Sequence, residues 1–169
     1  MPVPTCAPSD PRDCRKDAKV ERWDDGGKDI GLGGDGIKIR DARLICKNNN
    51  DHPKTSDVIR CLVEVSGLPA GCSVSNSGPD RKFGTLDDGP TVTSPGGILQ
   101  DDTRVYAAGT KKEFRFKEKW QCTPPLAKQK FSVVTSGIAD RGGDDYPRAD
   151  DDDDNSGSNI RTRSHILKK

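Results

Sequence analysis

The sequence predicts an all-β protein: an antiparallel sandwich with long polar loops and an extended N-terminal arm. Three observations lead there. Apolar residues recur at every second position in short runs, as in Ile59, Cys61, Val63 and Val65, and no stretch holds a helical period. The 169 residues include 18 Gly and 12 Pro, and the acidic side chains are 23 Asp against 4 Glu, which favours turns over helix. Only 30 % of the chain is hydrophobic, yet 28 basic residues nearly cancel 27 acidic ones, so it is poor in core without being self-repelling. That composition excludes a large α/β enzyme core. No apolar run approaches the roughly 18 residues that a membrane span needs.

Residues 1–35 read as an arm. Val3, Val20, Trp23, Ile30 and Leu32 are its only sizeable apolar groups, too few for a core of their own, and Pro2, Pro4, Pro8 and Pro11 favour extended backbone. The domain proper is expected over 36–169. Ile37 and Ile39 alternate with Lys38 and Arg40, then Ala42, Leu44 and Cys46 resume after a one-residue slip, which predicts a bulge near Asp41. A polar turn over 48–56 precedes the strand through Ile59 and Val65, which ends at Gly67-Leu68-Pro69. A short strand holds Cys72 and Val74, residues 76–100 read mostly as loop, and Thr103 to Ala107 as a strand. Phe114, Phe116, Glu118, Trp120 and Cys122 then lie at period two, followed by Phe131, Val133 and Thr135, and finally by Ile160, Thr162, Ser164 and Ile166. Six to eight short strands separated by turn signals specify a sandwich.

Four stretches in order carry a resemblance: Gly67-Leu68-Pro69-Ala70-Gly71-Cys72, Phe114-Arg115-Phe116-Lys117-Glu118-Lys119-Trp120-Gln121-Cys122, Ile138-Ala139-Asp140-Arg141-Gly142-Gly143-Asp144-Asp145, and Asn159-Ile160-Arg161-Thr162-Arg163. Over residues 37–169 the chain resembles the immunoglobulin-like bacterial surface domains of the cell-adhesion-related type. The resemblance implies a seven-stranded immunoglobulin-like β-sandwich with a structural or adhesive role. It leaves the arm and the long 76–102 loop unmatched.

The six cysteines, Cys6, Cys14, Cys46, Cys61, Cys72 and Cys122, include no C-x-x-C, so zinc-ribbon, thioredoxin-type and c-type haem attachment signatures are absent. An even count in a core-poor chain reads as three disulfides and an oxidising setting, extracellular or at a cell surface. Of the 15 connectivities that six cysteines allow, the pattern favours Cys6–Cys14 as a local loop, Cys46–Cys61 across a hairpin, and Cys72–Cys122 tying the two sheets. The start Met1-Pro-Val-Pro carries no secretory signal pattern, so export requires either a signal removed upstream or another route, such as that of a virion component.

The segment 140–159 is dense in carboxylates: Asp140, Asp144, Asp145 and the unbroken run Asp150 to Asp154. Asp140, Asp144, Asp145, Asp150, Asp152 and Asp154 are candidate calcium ligands, because calcium takes six to eight oxygen donors. The run is no EF-hand: counted from Asp152, Gly157 fits position 6 but Arg163 stands where a Glu is required. Asp24, Asp25, Asp29 and Asp35 form a weaker candidate set. Opposed to the acidic segment is the stretch Arg104 to Lys130, where Lys111, Arg115, Lys117 and Lys119 alternate with Phe114 and Phe116 and so share an outward face. Opposite patches in a chain of net charge +1 favour head-to-tail contacts between copies.

The stretch Gly31-Leu32-Gly33-Gly34-Asp35-Gly36 precedes a strand rather than a helix, so it is no phosphate loop, and no Ser occupies a nucleophile elbow. His52 lies in a polar turn, and His165 faces opposite to Ile166 on the last strand. A charge balance near zero argues against a dedicated nucleic-acid binder. The expected function is therefore non-enzymatic: a structural subunit or adhesion module of an extracellular assembly or filament, with copies of itself or another surface protein as partners. The alternative is a calcium-dependent module recognising glycan or protein through the Asp-rich loop.

Overall fold

Inward-pointing apolar side chains from ten strands close on one another in two layers. The computed structural model describes residues 18–27, 29–48, 57–107, 109–125, 130–141 and 159–169. Among them the strands are β1 (Ala18–Asp24), β2 (Asp29–Gly31), β3 (Ile37–Asn48), β4 (Asp57–Ser66), β5 (Cys72–Asn76), β6 (Thr91–Thr93), β7 (Gly96–Tyr106), β8 (Lys111–Cys122), β9 (Phe131–Arg141) and β10 (Asn159–Lys168). One sheet has the order β1-β3-β8-β5-β6 and the other β2-β10-β9-β4-β7. All pairings are antiparallel except β10 with β2, which run parallel. None of the described elements is a helix long and apolar enough to cross a membrane.

On β4, β5, β8 and β9 the core is filled by the alternate positions that the sequence marks, whereas on β10 the faces are reversed: Ile160 and Ile166 are exposed, and His165 and Leu167 are buried. Ile59, Cys61, Val63 and Val65 of β4 are buried beneath Phe116, Trp120 and Cys122 of β8, with Val133 and Ala139 of β9 beside them. The Trp23 ring lies 6.4 Å from that of Phe116 in a stacked pair. Gly137 of β9 makes room for it: a Cβ there would stand 2.7 Å from Leu44 Cδ1 and 3.2 Å from Trp23 Cβ. Gly96, at φ 155°, opens β7 where a Cβ would collide with the Val65 carbonyl oxygen.

Four further expectations are corrected. Residues 18–32 are not an arm, because β1 and β2 are strands of the two sheets and Val20, Trp23, Ile30 and Leu32 are buried in the common core. Four apolar groups suffice because each lands on the inward side, the alternation being reset by a register shift between Val20 and Arg22. The bulge expected near Asp41 is absent, and β3 pairs with β8 without interruption from Ile37 to Lys47. The apparent slip is a change of face: Ile39 lies outward and 48 % exposed, while Ala42, Leu44 and Cys46 point in. The region 76–100 contains β6 and the start of β7, where Leu99 is the extra residue of a bulge opposite Val63 and Glu64.

The fourth correction concerns the disulfides. Cys46 pairs with Cys61 and Cys72 with Cys122, as the sequence pattern favours, but their mechanical roles are exchanged. Cys46 is on β3 and Cys61 on β4, in different sheets, so this bridge ties the layers. Cys72 and Cys122 are register partners on neighbouring strands of one sheet, with Cα atoms 4.0 Å apart. Cys6 and Cys14 lie outside the described residues.

Candidate functional site

Polar side chains at inward positions stand out against this core. On β8, Glu118 falls between Phe116 and Trp120; on β9, Thr135 follows Val133; on β10, His165 precedes Leu167; and Asp25 follows β1. All four are at most 1 % exposed. Asp25 Oδ2 accepts from the Thr135 hydroxyl at 2.8 Å and lies 2.5 Å from His165 Nε2, while Thr135 Oγ1 and His165 Nε2 are 3.0 Å apart. The His165 ring meets Trp120 edge-on, with centroids 5.8 Å apart. Trp120 Nε1 donates to Glu118 Oε1 at 3.4 Å.

Burial pushes the Glu118 carboxyl up to about 8, reinforced by the negative charge of Asp25 and opposed by the Trp120 hydrogen bond and the Arg40 charge. Among the described residues neither Glu118 Oε2 nor Asp25 Oδ1 has a hydrogen-bond partner, although Arg163 Nε stands 4.0 Å from the latter. Thr135, His165 and Asp25 supply the residue types of a nucleophilic relay, but their geometry is different. A relay needs the imidazole to bridge acid and nucleophile through its two nitrogens. Here both Asp25 and Thr135 meet Nε2, closing a triangle in a solvent-excluded interior. Such a triangle can lock β1, β9 and β10 together; it offers no open face to a substrate.

The second concentration of charge is on the outside. Lys111, Glu113, Arg115, Lys117 and Lys119 line the outward side of β8, opposite Phe116, Glu118 and Trp120, as the alternation predicts. Register places Arg43 of β3 directly across from Arg115, and Lys47 across from Lys111. Like charges facing each other across a ladder are ordinarily unfavourable. Glu113 relieves the first pair, its Oε1 lying 2.8 Å from Arg43 Nε and 2.7 Å from Arg115 Nε. The two arginines beside it hold the Glu113 carboxyl below its usual range, with the Arg115 hydrogen bond the largest cause.

Of the six candidate calcium ligands, only Asp140 is described. It stands on β9 in register with Arg60 of β4, whose guanidinium is held above its ordinary value chiefly by the Asp101 hydrogen bond, with Asp140 adding to the effect. Asp144, Asp145, Asp150, Asp152 and Asp154 lie outside the described residues, as does His52. The weaker set does not converge: Asp24 accepts from the Gly26 N–H, Asp25 is buried with His165, Asp29 faces Lys168, and Asp35 accepts from the Ile37 N–H. Among the described residues, no three His, Cys, Asp or Glu side chains are grouped to hold a metal.

The interior cluster is what a reading of motifs passes over. Its signal is in the sequence for Glu118 and Thr135, polar residues in inward slots of otherwise apolar strands, but not for His165, which the pattern Ile160, Thr162, Ser164 and Ile166 sets on the outward face.

No protein-family model matches the chain, and no curated protein matches it. Among solved structures it is similar over 90 % of its length to a mutant β-glucosidase from Listeria innocua in complex with laminaribiose, at 10 % identity and a TM-score of 0.41, spanning 16 % of that enzyme. It is also similar to AvmM, which catalyses macrocyclisation in alchivemycin A biosynthesis, at 7 % identity over 91 % of this chain and 90 % of that one, with a TM-score of 0.43. A conjugative transposon lipoprotein from Bacteroides eggerthii matches at 9 % identity over 88 % of this chain and 93 % of its own, with a TM-score of 0.30. Likenesses of this grade assign no activity here.

Proposed function

We propose that the chain is a non-enzymatic structural subunit or adhesion module of an extracellular surface assembly. The observation that carries this reading is the placement of the two described disulfides, one between the sheets and one within a sheet. Cross-links in a thin, core-poor sandwich fit a chain that works outside the reducing cytoplasm. The sealed Asp25–Thr135–His165 triangle supports a scaffold role, since these groups join three strands and meet no solvent. The resemblance to immunoglobulin-like surface domains points the same way. Material isolated without reductant and imaged in its native state tests the reading. Copies arrayed in regular contact, or decorating a cell or particle surface, are expected; dispersed single molecules in every preparation contradict it.

The density of carboxylates in the run Asp150 to Asp154 favours a second reading, a calcium-dependent recognition module. Its test is thermal melting with calcium and with chelator. A midpoint that rises by several degrees with calcium supports it, and superimposable curves remove it.

A further inference from the structure

Strand β5 covers only half of the β8 edge. Its pairing runs from Cys72 with Cys122 to Asn76 with Glu118, and Ser77 adds a last contact at Lys117. Below Lys117, no described strand pairs with this side of β8, although β3 continues along the other side as far as Lys111. Peptide groups of alternate residues point to alternate sides of a strand. Because Lys117 bonds toward β5 and Cys122 toward Gly36 before β3, it is Arg115 and Glu113 that direct their backbone groups into the uncovered side.

That opening is a groove of about 470 Å³, within the range of peptide- and ligand-sized sites. The partly buried Phe114 forms an apolar wall, with the core ring of Phe116 behind it; Gln100 and Arg104 of β7 stand across, with Gly78 and Pro79 at one end. Its charged lining comprises Arg104, Lys112 and Arg115 with the carboxylate Glu113; Glu113 is shared by Arg43 and Arg115, and Arg104 pairs with Asp102 at 2.9 Å beside the groove, which leaves the rim net positive through Lys112 and the two arginines on one carboxylate. The Arg43–Arg115 and Lys47–Lys111 pairs extend the positive field onto the neighbouring sheet face.

We propose that this groove is an acceptor for the acidic segment Asp144 to Asp154 of a second copy of the chain, which rests on the self-assembling reading above. The segment is complementary in two respects. Its seven carboxylates oppose the cationic rim, and its Tyr146 supplies one aromatic ring for the wall of Phe114. An open strand edge adds backbone hydrogen bonds to any extended segment laid along it. Because donor and acceptor are different surfaces, the contact is heterologous and propagates from copy to copy.

Sedimentation velocity of the oxidised 169-residue chain at low and high salt tests this, with two variants. One carries Lys112→Glu and Arg115→Glu in the groove; the other carries Asp→Asn at positions 150 to 154. The wild type is expected to associate at low salt, with an affinity falling about tenfold or more at high salt. Each variant alone is expected to stay monomeric. An equimolar mixture of the two should form a dimer and nothing larger, because one intact donor then meets one intact acceptor. A groove variant that associates like the wild type, or a mixture that stays monomeric, overturns the inference while leaving assembly through another surface intact. A wild type that is monomeric throughout sinks the assembly reading instead. A labelled peptide of residues 144–154 then decides the groove separately: saturable binding lost in the groove variant keeps the acceptor site, and no binding removes it.

Discussion

At the scale of single residues, the interior cluster sets how the protein responds to pH. Glu118 has an ordinary carboxyl value of 4.5 when the chain is unfolded and about 8 when it is folded. Below the first value both states hold the proton. Between the two, the unfolded chain ionises and the folded chain does not, so stability falls as pH rises through that window and levels off above it. Each unit of separation is worth about 1.4 kcal/mol. Glu118→Gln, a neutral isostere, should therefore melt higher than wild type at pH 8 and flatten the dependence between pH 5 and 8. Superimposable pH–Tm curves would show that Glu118 is not the group responsible. Gly137→Ala tests the packing side of the same scale. Its methyl meets Leu44 and the Trp23 side chain in a closed core, so a loss of about 1–3 kcal/mol is expected in denaturant unfolding.

At the scale of elements, the disulfides and strands show how far a sequence can be read. The cysteine pairing was legible because Cys46, Cys61, Cys72 and Cys122 all sit on inward positions of strands. Which bridge spans the sheets was not, because period-two alternation says which face a residue takes and nothing about which sheet its strand joins. The same limit hid β1 and β2, whose few apolar groups serve a core built mainly by residues far away in sequence. A second limit, that an alternating apolar residue need not face the core, turned the outward Ile37 and Ile39 of β3 into a false bulge and set Ile160 and Ile166 of β10 on the wrong face. The interior polar cluster was half legible. Glu118 and Thr135 carried the right spacing, whereas Asp25, which joins Thr135 to His165, looked like one more loop aspartate.

The bridges also differ in expected weight. Cys46–Cys61 closes a separation of 15 residues and Cys72–Cys122 one of 50. By the loop-closure argument these contribute about 3 and about 4 kcal/mol, respectively. Replacing Cys72 and Cys122 together by Ala should lower the urea midpoint more than replacing Cys46 and Cys61. The reverse order would mean that joining the layers matters more than restricting the unfolded chain.

At the scale of the molecule, low hydrophobicity and balanced charge take on one meaning. The apolar residues gather between two five-stranded sheets around the buried Asp25, Glu118 and His165, and most charges lie outside, with cations concentrated along β8 and its neighbour β3. Such a chain folds on a thin core with cross-links and presents polar surfaces for contact. The central claim is that those contacts join copies of the chain outside the cell. Light-scattering mass of the oxidised 169-residue chain, measured across a concentration series at low ionic strength, tests it most directly. The account predicts a mass that climbs with concentration through several multiples of the 18.3 kDa chain and returns toward one chain in high salt. A mass that stays at one chain over the whole series contradicts it.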